Sequence, residues 1–413
     1  MKTKIFLVGP LLTRSGYGEQ ARFALRALRS REDLFDIYVH PLQWGATSWI
    51  AEYDEEKQWI DNTIEKTLHY VQAGGKPDVS LQVTIPNEWK KISPINIGYT
   101  AGIETTQVSN EWLQAGNQMD NILVLSNHSK NVYESTSYTG VDEATGQTIN
   151  LACATPINVV NYPVKTFSEL PELDLELSGD VNFLSVAQWG PRKNFVNMVR
   201  WFIQEFKDED VGLVVKTNIA KNCLIDRENC EGQLKQLVSE FDDKRCKIYL
   251  LHGDMTDEEM HALYKHPKIS AFVGIPHGEG FGLPIFEAAY SGLPVVTVGW
   301  SGQLDYLIDE SGNANFYEVA YDIQKVQKEV VWPGVLIEES GWAYARETSY
   351  KNQLRKCYED IQNNSGLVAS AEDYANSLHE RFSQEVLYEQ FIEALNLNID
   401  HEWAQTLSSI EII

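Results

Sequence analysis

The sequence predicts an α/β protein made of two Rossmann-like α/β/α domains that face each other across a cleft. Two observations lead to this prediction. Short apolar segments alternate with amphipathic segments along the chain, which indicates parallel sheets covered by helices. In addition, 413 residues are more than one hydrophobic core usually accommodates, so two domains are expected.

The first half of the chain contains one such alternating series. Buried strands are predicted for "KIFLVG", "FDIYVHP", "DVSLQVT", "INIGYTA" and "NILVLS". Helices are predicted for "EQARFALRALRS" and for "EEKQWIDNTIEKTLHYVQAG", where Gly75 provides a stop. Proline and acidic residues then crowd residues 162–180, which we interpret as an interdomain linker. We therefore place the first domain at residues 1–165.

A second alternating series follows the linker. Strands are predicted for "VNFLSVA", "VGLVVKT", "KIYLLHG", "ISAFVGI" and "PVVTVG". Helices are predicted for "NFVNMVRWFIQEF", for "DEEMHALYK" and for a segment that starts at Pro284. The end of the chain, "SAEDYANSLHERFSQEVLYEQFIEALNL", predicts two terminal helices. We place the second domain at residues 166–385.

The charge and the cysteines limit the possible partners. The net charge of −25 disfavours nucleic acid and anionic membranes without excluding nucleic acid, because both need clustered cations. Residues 1–164 hold 13 Lys and Arg against 18 Asp and Glu, so most of the excess lies in the second half. No apolar run is long enough to span a membrane. The five scattered cysteines lack zinc-site spacing, and we expect reduced thiols in a cytoplasmic protein.

The strongest functional signal is the stretch "GEGFGLPIFEAAYSGLPVV", residues 278–296. A glycine-rich loop follows a strand there, and Pro284 suits the first turn of the next helix. Free backbone N–H groups at a helix start predict an anion site suited to a phosphate. Glu279 and Glu287 add carboxylates, which bind sugar hydroxyls well. Phosphate and hydroxyls together describe a sugar nucleotide, whereas the plain alternative is a tight loop with one solvated glutamate and one glutamate at a helix start, where it favours the helix dipole.

The same stretch resembles the two-glutamate signature of the retaining family 4 glycosyltransferases (glycosyl transferases group 1), which have the GT-B fold. The upstream segments "IYLLHGDMTDEEMHALYKHPKISAFV" and "FLSVAQWGPRKNF" are also similar to that family. The resemblance implies transfer of a hexosyl or pentosyl group from a nucleotide-sugar donor to an acceptor hydroxyl. It further implies retention of configuration, no metal, and no cofactor apart from the nucleotide sugar as co-substrate. It implies that the first domain binds the acceptor and the second the nucleotide-sugar donor, and residues 386–413 are expected to return to the first domain.

The resemblance assigns roles to individual residues of the second domain. It implies that Glu287 holds the ribose hydroxyls, that Glu279 contacts the donor sugar, and that Lys193 neutralises the leaving diphosphate. The backbone that is expected to support the sugar and the phosphates comprises Gly280, Phe281, Gly282, Leu283 and Pro284.

The chain departs from the family pattern at Gln188, where an arginine is usual. Arg192 and Lys216 are the candidates for the missing charge. Lys216 ends the apolar strand "GLVVK" at the edge that lines the cleft in open parallel sheets, although it is equally typical of a solvated strand end. We expect the side chain of Arg192 to point away from Lys193, which favours Lys216.

In the first half, "SGYGEQAR" places Gly16 and Gly18 between a strand and its helix. This resembles the glycine loop with which the family approaches donor and acceptor, although any strand-to-helix turn can use glycine. Tyr17 is interpreted either as a stacking platform for a sugar ring or as a cover for the loop.

A histidine that contacts the donor sugar in many family members is missing from residues 100–106. Glu104 is the substitute candidate, and it would orient the acceptor hydroxyl or the donor. The alternative for Glu104 is a carboxylate at a helix start. His128 is interpreted as a structural or surface residue.

Two other functions remain open at this point. One is a GT-B transferase that acts on a non-carbohydrate acceptor such as a modified nucleobase. The other is a catalytically inactive nucleotide-sugar-binding protein, against which the intact Glu279, Glu287 and Lys193 argue.

Overall fold

The computed structural model describes residues 2–45, 47–141 and 146–397. Two six-stranded sheets dominate it, and every strand pair in both sheets is parallel. The predicted strands are all present, and helices cover both sheets, so the prediction of two Rossmann-like domains is confirmed. Within the described residues, every helix is too short or too polar to cross a bilayer.

The first sheet has the strand order β2-β1-β3-β4-β5-β8. Its elements are β1 Thr3–Gly9, α1 Gly16–Arg29, β2 Phe35–Pro41, α2 Glu55–Gln72, β3 Val79–Val83, β4 Ile95–Thr100, α3 Asn110–Gly116, β5 Asn121–Val124, α4 Asn127–Ser135, β6 Ser137–Val141, β7 Thr148–Ala152 and β8 Ile157–Val159. Every position of β3 and β5 is buried, and the polar residues among them, Ser80, Gln82 and Asn121, use their side chains in hydrogen bonds.

The second sheet has the strand order β11-β10-β9-β12-β13-β14. Its elements are β9 Val181–Val186, α5 Phe195–Glu205, β10 Val211–Lys216, α6 Leu224–Val238, β11 Lys247–Leu251, α7 Asp257–Tyr264, β12 Ala271–Gly274, α8 Leu283–Tyr290, β13 Val295–Val298, α9 Leu304–Leu307 and β14 Tyr317–Val319. The remaining elements are β15 Tyr321–Lys325, β16 Gly341–Ala345, α10 Glu347–Asn363, α11 Gly366–Arg381 and α12 Gln384–Ala394.

Two antiparallel strand pairs stand outside the large sheets. The pair β6–β7 is a hairpin between α4 and β8, and the pair β15–β16 follows β14. The segment between β15 and β16 reaches the first domain, where Gly334 O accepts hydrogen bonds from Asn87 and Ser109. The backbone N–H of Thr106 also donates to Gly341 O at 2.8 Å. This segment, residues 326–340, therefore ties the two domains together outside the linker.

The C-terminal helix packs on the first domain. Phe391 of α12 meets Phe23 of α1 edge-on, with ring centroids 5.4 Å apart. Asn121 of β5 donates a side-chain hydrogen bond to Ala394 O at 2.7 Å. The expectation of a returning C-terminal segment thus has a counterpart in α12, while residues 398–413 lie outside the described residues.

The domains approach each other at the carboxyl ends of their strands. Arg14, which follows β1, donates to the carbonyl of Met255 at 3.1 Å. Asn127, which follows β5, donates through its backbone N–H to Asp305 at 2.9 Å. Since open α/β sheets bind ligands beyond the carboxyl ends of their strands, these loops mark the functional face of both sheets.

Candidate active site

The signature loop joins β12 to α8. Gly282 precedes the helix with φ of +91°, a conformation that glycine adopts at little cost. Helix α8 begins at Leu283 and has Pro284 as its second residue, so the predicted start in its first turn is confirmed. Gly292, with φ of +85°, follows the helix as predicted.

Glu279 is the most enclosed carboxylate of this loop, with 6% of its surface exposed. Its Oε1 is 2.5 Å from Lys193 Nζ, and its Oε2 is 2.8 Å from Arg192 Nη1. Burial alone would raise the pKa of Glu279, but the two cations offset it and hold that pKa below the ordinary value. Glu279 is therefore an anion held between two cations at the domain interface.

Arg192 differs from the expectation that its side chain points away from Lys193. A short 3-10 turn, Pro191–Lys193, is followed by Asn194 in the left-handed conformation with φ of 51°. With the chain turned in this way, Arg192 and Lys193 bind the same carboxylate of Glu279. The expected direction is wrong, because residues in so tight a turn do not alternate faces as they do in a strand.

The pKa values of the two cations shift in opposite directions. Burial lowers the pKa of Lys193, and the neighbouring Arg192 lowers it further, although Glu279 opposes both effects. Burial would also lower the pKa of Arg192, but Glu279 and Glu104 raise it above its ordinary value. If a bound anion displaced Glu279, Lys193 and Arg192 would already be positioned to pair with it.

Lys216 lies in a different environment. Its Nζ donates to Gly253 O at 2.6 Å, and burial lowers its pKa. The charged groups that influence that pKa are Asp254 and Arg14. Gln188 donates its side-chain amide to Ile219 O at 2.7 Å. The structure thus groups Arg192, rather than Lys216, with Lys193.

Glu287 lies one turn into α8, where its neighbours include Tyr264 and Lys165. Tyr264 of α7 donates its hydroxyl to Glu287 Oε2 at 3.0 Å. Burial raises the pKa of Glu287 to about 7, with Lys165 acting in the opposite direction. Lys165, from the linker, is itself 2.7 Å from Asp257 Oδ2 and 3.1 Å from Glu19 Oε1. Lys165 therefore joins carboxylates of both domains next to Glu287.

The glycine loop of the first domain also lies at this interface. A Cβ atom on Gly18 would lie 2.1 Å from Thr13 O, so that position requires glycine, whereas Gly16 is exposed and faces open space. Gly16 O accepts a hydrogen bond from Tyr162, whose ring meets Phe281 edge-on at 5.2 Å. Gly16 and Phe281, two predicted site residues of opposite domains, are thereby connected.

Tyr17 is held in place by two side chains. Its hydroxyl is 2.7 Å from Thr100 Oγ1, and its ring lies 4.3 Å from the ring of Trp44. Burial raises the pKa of Tyr17, with smaller contributions from Glu104 and Glu88. The Tyr17 side chain is therefore fixed between Thr100 and Trp44 at the start of α1.

Glu104 lies in the loop between β4 and α3, six residues before α3 begins at Asn110. The alternative of a helix-start carboxylate is therefore wrong. Its Oε1 is 3.5 Å from Arg192 Nε, which brings it to the charged group around Glu279. His128 is half-buried, with its ring 4.9 Å from that of Trp300 and hydrogen-bonded to the backbone of Thr105.

The glycines of the signature loop lie against the first domain. A Cβ atom on Gly278 would lie 2.1 Å from Glu104 O, and one on Gly280 would lie 2.2 Å from Ala101 O. Sequence reasoning explained these glycines by close approach to a ligand. In the structure they allow close approach of the two domains.

One group in the described residues has the composition of a metal site. The ligand atoms of Asp226, Cys230 and His252 lie within 4.8 Å of one another. Asp226 nevertheless accepts backbone N–H groups from Ile219, Ala220 and Lys221, as well as a hydrogen bond from His252 at 3.0 Å. Because its carboxylate is satisfied in this way, we assign the group a structural role in fixing the loop after β10.

Sequence reasoning missed three partners of the site. Ser301 Oγ accepts the backbone N–H of Glu279 at 2.9 Å, and Ser301 has a positive φ of 74°. Tyr264 and Lys165 accompany Glu287. Ser301 had a faint signal, since it follows β13 at the carboxyl edge of the sheet, whereas nothing in the sequence indicates the other two.

Comparison with known proteins is consistent with this arrangement. Residues 175–331 match the family model of glycosyl transferases group 1. A search of curated protein sequences gave no significant match.

Several solved structures are similar over nearly the whole chain. Sucrose-phosphate synthase from Thermosynechococcus elongatus has a TM-score of 0.61 at 13% identity, covering 99% of this chain and 100% of that one. HepE from Anabaena, in complex with UDP and glucose, has a TM-score of 0.58 at 14% identity, covering 95% of this chain and 99% of HepE. A glycosyltransferase from Rickettsia africae has a TM-score of 0.57 at 12% identity, covering 96% of this chain and 98% of that one. The chain thus has the GT-B fold, and residues 175–331 carry the match to group 1.

Proposed function

We propose that this protein is a glycosyltransferase that moves a sugar from a nucleotide-sugar donor to an acceptor hydroxyl with retention of configuration. One observation carries the proposal: Lys193 and Arg192 converge on Glu279 beside the start of α8, and Glu287 lies one turn further along that helix. Cations and helix N–H groups suit a diphosphate, and carboxylates suit hydroxyls. The match of residues 175–331 to group 1 supports this assignment.

The proposed donor is a UDP-sugar. HepE, which shares the fold, was solved with UDP and glucose and also with UDP-glucose. In this proposal Glu287 accepts the ribose hydroxyls, and Glu279 contacts the sugar after the diphosphate has replaced it beside the cations. The backbone from Gly280 to Pro284 supports the phosphates and the sugar.

In the proposed reaction, the bond between the sugar C1 and the leaving phosphate oxygen breaks while the acceptor oxygen bonds to C1 on the same face. The acceptor proton passes to the leaving phosphate, so no covalent enzyme intermediate forms. Lys193, Arg192 and the N–H groups of α8 stabilise the charge that develops on the diphosphate. Because these groups meet that charge, we propose that the reaction needs no divalent metal.

The proposed donor chemistry is testable by thermal shift of the purified protein with UDP-, GDP- and ADP-sugars. We expect the largest stabilisation with a UDP-sugar, and its loss in Glu287→Ala with the fold intact. Stabilisation by none of the three donors would contradict the proposal. Donor binding without any transfer or donor hydrolysis would instead indicate an inactive binding protein.

Metal independence has its own test. Turnover should persist in excess EDTA and change little on addition of magnesium or manganese. Loss of turnover in EDTA that either ion restores would contradict the proposed role of the two cations.

We also propose a cytoplasmic location, which the five unpaired cysteines support.

A further inference from the structure

The loop that follows β13 holds the backbone of Glu279 at both of its polar groups. Ser301 Oγ accepts the backbone N–H of Glu279 at 2.9 Å, and the backbone N–H of Gly302 donates to Glu279 O at 2.9 Å. Strands β12 and β13 pair in parallel, so their loops leave the same edge of the sheet side by side. Two consecutive residues of one loop therefore fix the backbone of one residue in the other.

The hydroxyl of Ser301 is itself oriented by a buried amide. It donates to Gln303 Oε1 at 2.9 Å, while Gln303 Nε2 donates to Val298 O at 3.1 Å. Both Ser301 and Gln303 are buried. Because a hydroxyl has a single proton, the bond to Gln303 leaves the lone pairs of Ser301 Oγ available to the N–H of Glu279. The contact with Glu279 is thus made by a side chain that a second side chain holds in place.

The next two carbonyls of the signature loop are held from the same side. Tyr306 Oη, on α9, lies 3.1 Å from Phe281 O and 2.9 Å from Gly282 O. Tyr306 is fully buried, so its hydroxyl is fixed by the packing around it. The loop after β13 and the start of α9 therefore support the signature loop together, and Ser301 supplies the side-chain contact to Glu279.

Ser301 makes this contact from a backbone conformation that a residue with a Cβ atom disfavours. Its φ of 74° lies in the left-handed region, which glycine adopts at little cost. The other non-glycine residues with positive φ in the described ranges are asparagines and an aspartate, whose short polar side chains tolerate this region. Strain of this kind persists where the surrounding contacts fix it, and it is concentrated at functional sites. At Ser301 those contacts lead to Glu279.

A fixed backbone matters at Glu279 because its carboxylate changes partners in the proposed reaction. In the structure that carboxylate pairs with Lys193 and Arg192. When the diphosphate binds these cations, the carboxylate turns to the hydroxyls of the donor sugar. A side chain that turns about a fixed backbone reaches a defined position, whereas a mobile backbone would spread it over several positions. A misplacement of about 1 Å can cost on the order of 100-fold in rate.

We propose that Ser301 is a positioning residue for the donor sugar: it fixes the backbone of Glu279 so that the carboxylate meets the sugar of a bound UDP-sugar. Ser301 does not itself touch the donor in this proposal. The inference rests on the proposed glycosyltransferase function and adds to it how the position of Glu279 is maintained. It also implies that stability is lost at Ser301 in favour of function, since glycine would adopt the same conformation without strain.

Ser301→Ala and Ser301→Gly separate positioning from stability. Both remove the hydroxyl that binds Glu279, so both should lower the affinity for the UDP-sugar and the turnover of that donor by about 10- to 100-fold. The affinity for UDP, which lacks the sugar, should change less than about threefold in both variants. Ser301→Gly should nevertheless melt about 2 °C above Ser301→Ala, because glycine relieves the positive φ.

The measurements are isothermal titration calorimetry with UDP and with the UDP-sugar that gives the largest thermal shift, donor turnover, and thermal unfolding. Asp243→Gly is the matched control, because Asp243 also has a positive φ, of 52°, but is exposed in the loop between α6 and β11. We expect Asp243→Gly to keep the wild-type affinities and turnover without a fall in melting temperature.

Three results would overturn the inference while leaving the proposed function intact. The first is wild-type UDP-sugar affinity and turnover in folded Ser301→Ala and Ser301→Gly. The second is an equal loss of affinity for UDP and for the UDP-sugar, which would indicate a general effect on the loop. The third is turnover that follows the melting temperature, with Ser301→Gly more active than Ser301→Ala, which would indicate a purely structural serine. Failure of the wild-type protein to bind any UDP-sugar would instead overturn the proposed function, and this inference with it.

Discussion

At the scale of single residues, the ionisation of Glu287 should control nucleotide affinity. Burial raises its pKa to about 7. In the proposed donor complex the ionised carboxylate accepts hydrogen bonds from the ribose hydroxyls, whereas the protonated form has one acceptor position fewer. Affinity for UDP should therefore be greatest above pH 7 and should fall as the pH drops through about 7. Isothermal titration calorimetry between pH 5.5 and 8.5 would measure this profile.

Two variants isolate the cause of that profile. Glu287→Gln should bind UDP weakly at every pH, without the step near 7. Lys165→Met should move the step to higher pH, because removing the cation leaves Glu287 beside the carboxylates of Asp257 and Glu19. The charged or titratable groups near Glu287 are Lys165, Asp257, Glu19, Tyr264, Tyr290 and Tyr306. A step that persists in Glu287→Gln would assign the titration to another group.

Arg192 and Lys216 offer a second prediction at this scale. Removing a charge-assisted contact that strengthens in the transition state costs about 2–4 kcal/mol, or roughly 30- to 1000-fold in rate. We expect Arg192→Ala and Lys193→Ala to lower kcat by that amount. Lys216→Ala should be milder, since its ammonium bonds Gly253 O. Steady-state kinetics with the donor identified above would decide, and a collapse of kcat in Lys216→Ala alone would reverse the assignment.

The sequence indicates those residues of the candidate site whose chemistry is local. Glu279, Glu287 and Lys193 stand in recognisable spacing within one loop, one helix and one turn. The predicted direction of the Arg192 side chain was wrong. That direction depends on the backbone angles of a 3-10 turn followed by a left-handed residue, and the amino-acid sequence does not specify these angles. The sequence also does not indicate Lys165, whose partners Glu19 and Asp257 come from opposite domains.

At the scale of elements, the strands were predictable because both sheets are parallel and buried. Helix α6 was not, since the apolar residues Leu224 and Ile225 are exposed at its start while Asp226 is buried. The pair β15–β16 also escaped sequence reasoning. Its strand β15 is largely exposed and polar, so its sequence lacks the apolar run that marks the strands of the large sheets.

The buried position of Asp226 in α6 leads to a prediction about stability. Its carboxylate satisfies three backbone N–H groups of the loop after β10 and also His252. Asp226→Ala would leave these donors unpaired. Losing the charged partner of a buried donor lowers the free energy of unfolding by roughly 2–3 kcal/mol. We expect thermal unfolding to shift down by a few degrees, while the change Glu228→Ala at an exposed position of the same helix leaves it unchanged. Equal melting temperatures would contradict the structural role.

At the scale of the whole molecule, the sequence predicts two domains but not how they meet. The structure brings them together through Arg14 with Met255, through Asn127 with Asp305, and through residues 326–340. Each contact joins loops that are far apart in sequence, so no local pattern announces it. The glycines of the signature loop are an example: their spacing is visible in the sequence, but the backbone that they approach is not.

Gly278 allows the last prediction, which concerns domain closure. A methyl group there would lie 2.1 Å from Glu104 O and 3.0 Å from Glu104 C, and backbone atoms cannot rotate away as a flexible side chain can. Gly278→Ala should therefore push the loop of residues 101–109 away from the signature loop and separate Glu104 from Arg192. Because a displacement of about 1 Å can cost on the order of 100-fold in rate, we expect a fall of that size in kcat and a larger radius of gyration in small-angle X-ray scattering. Gly232→Ala, on the open surface of α6, is the matched control, since a methyl group there meets no atom within 4 Å. If Gly278→Ala keeps both the turnover and the scattering profile of the wild type, the close packing of residues 278–280 against residues 101–104 is not the arrangement in which the protein works.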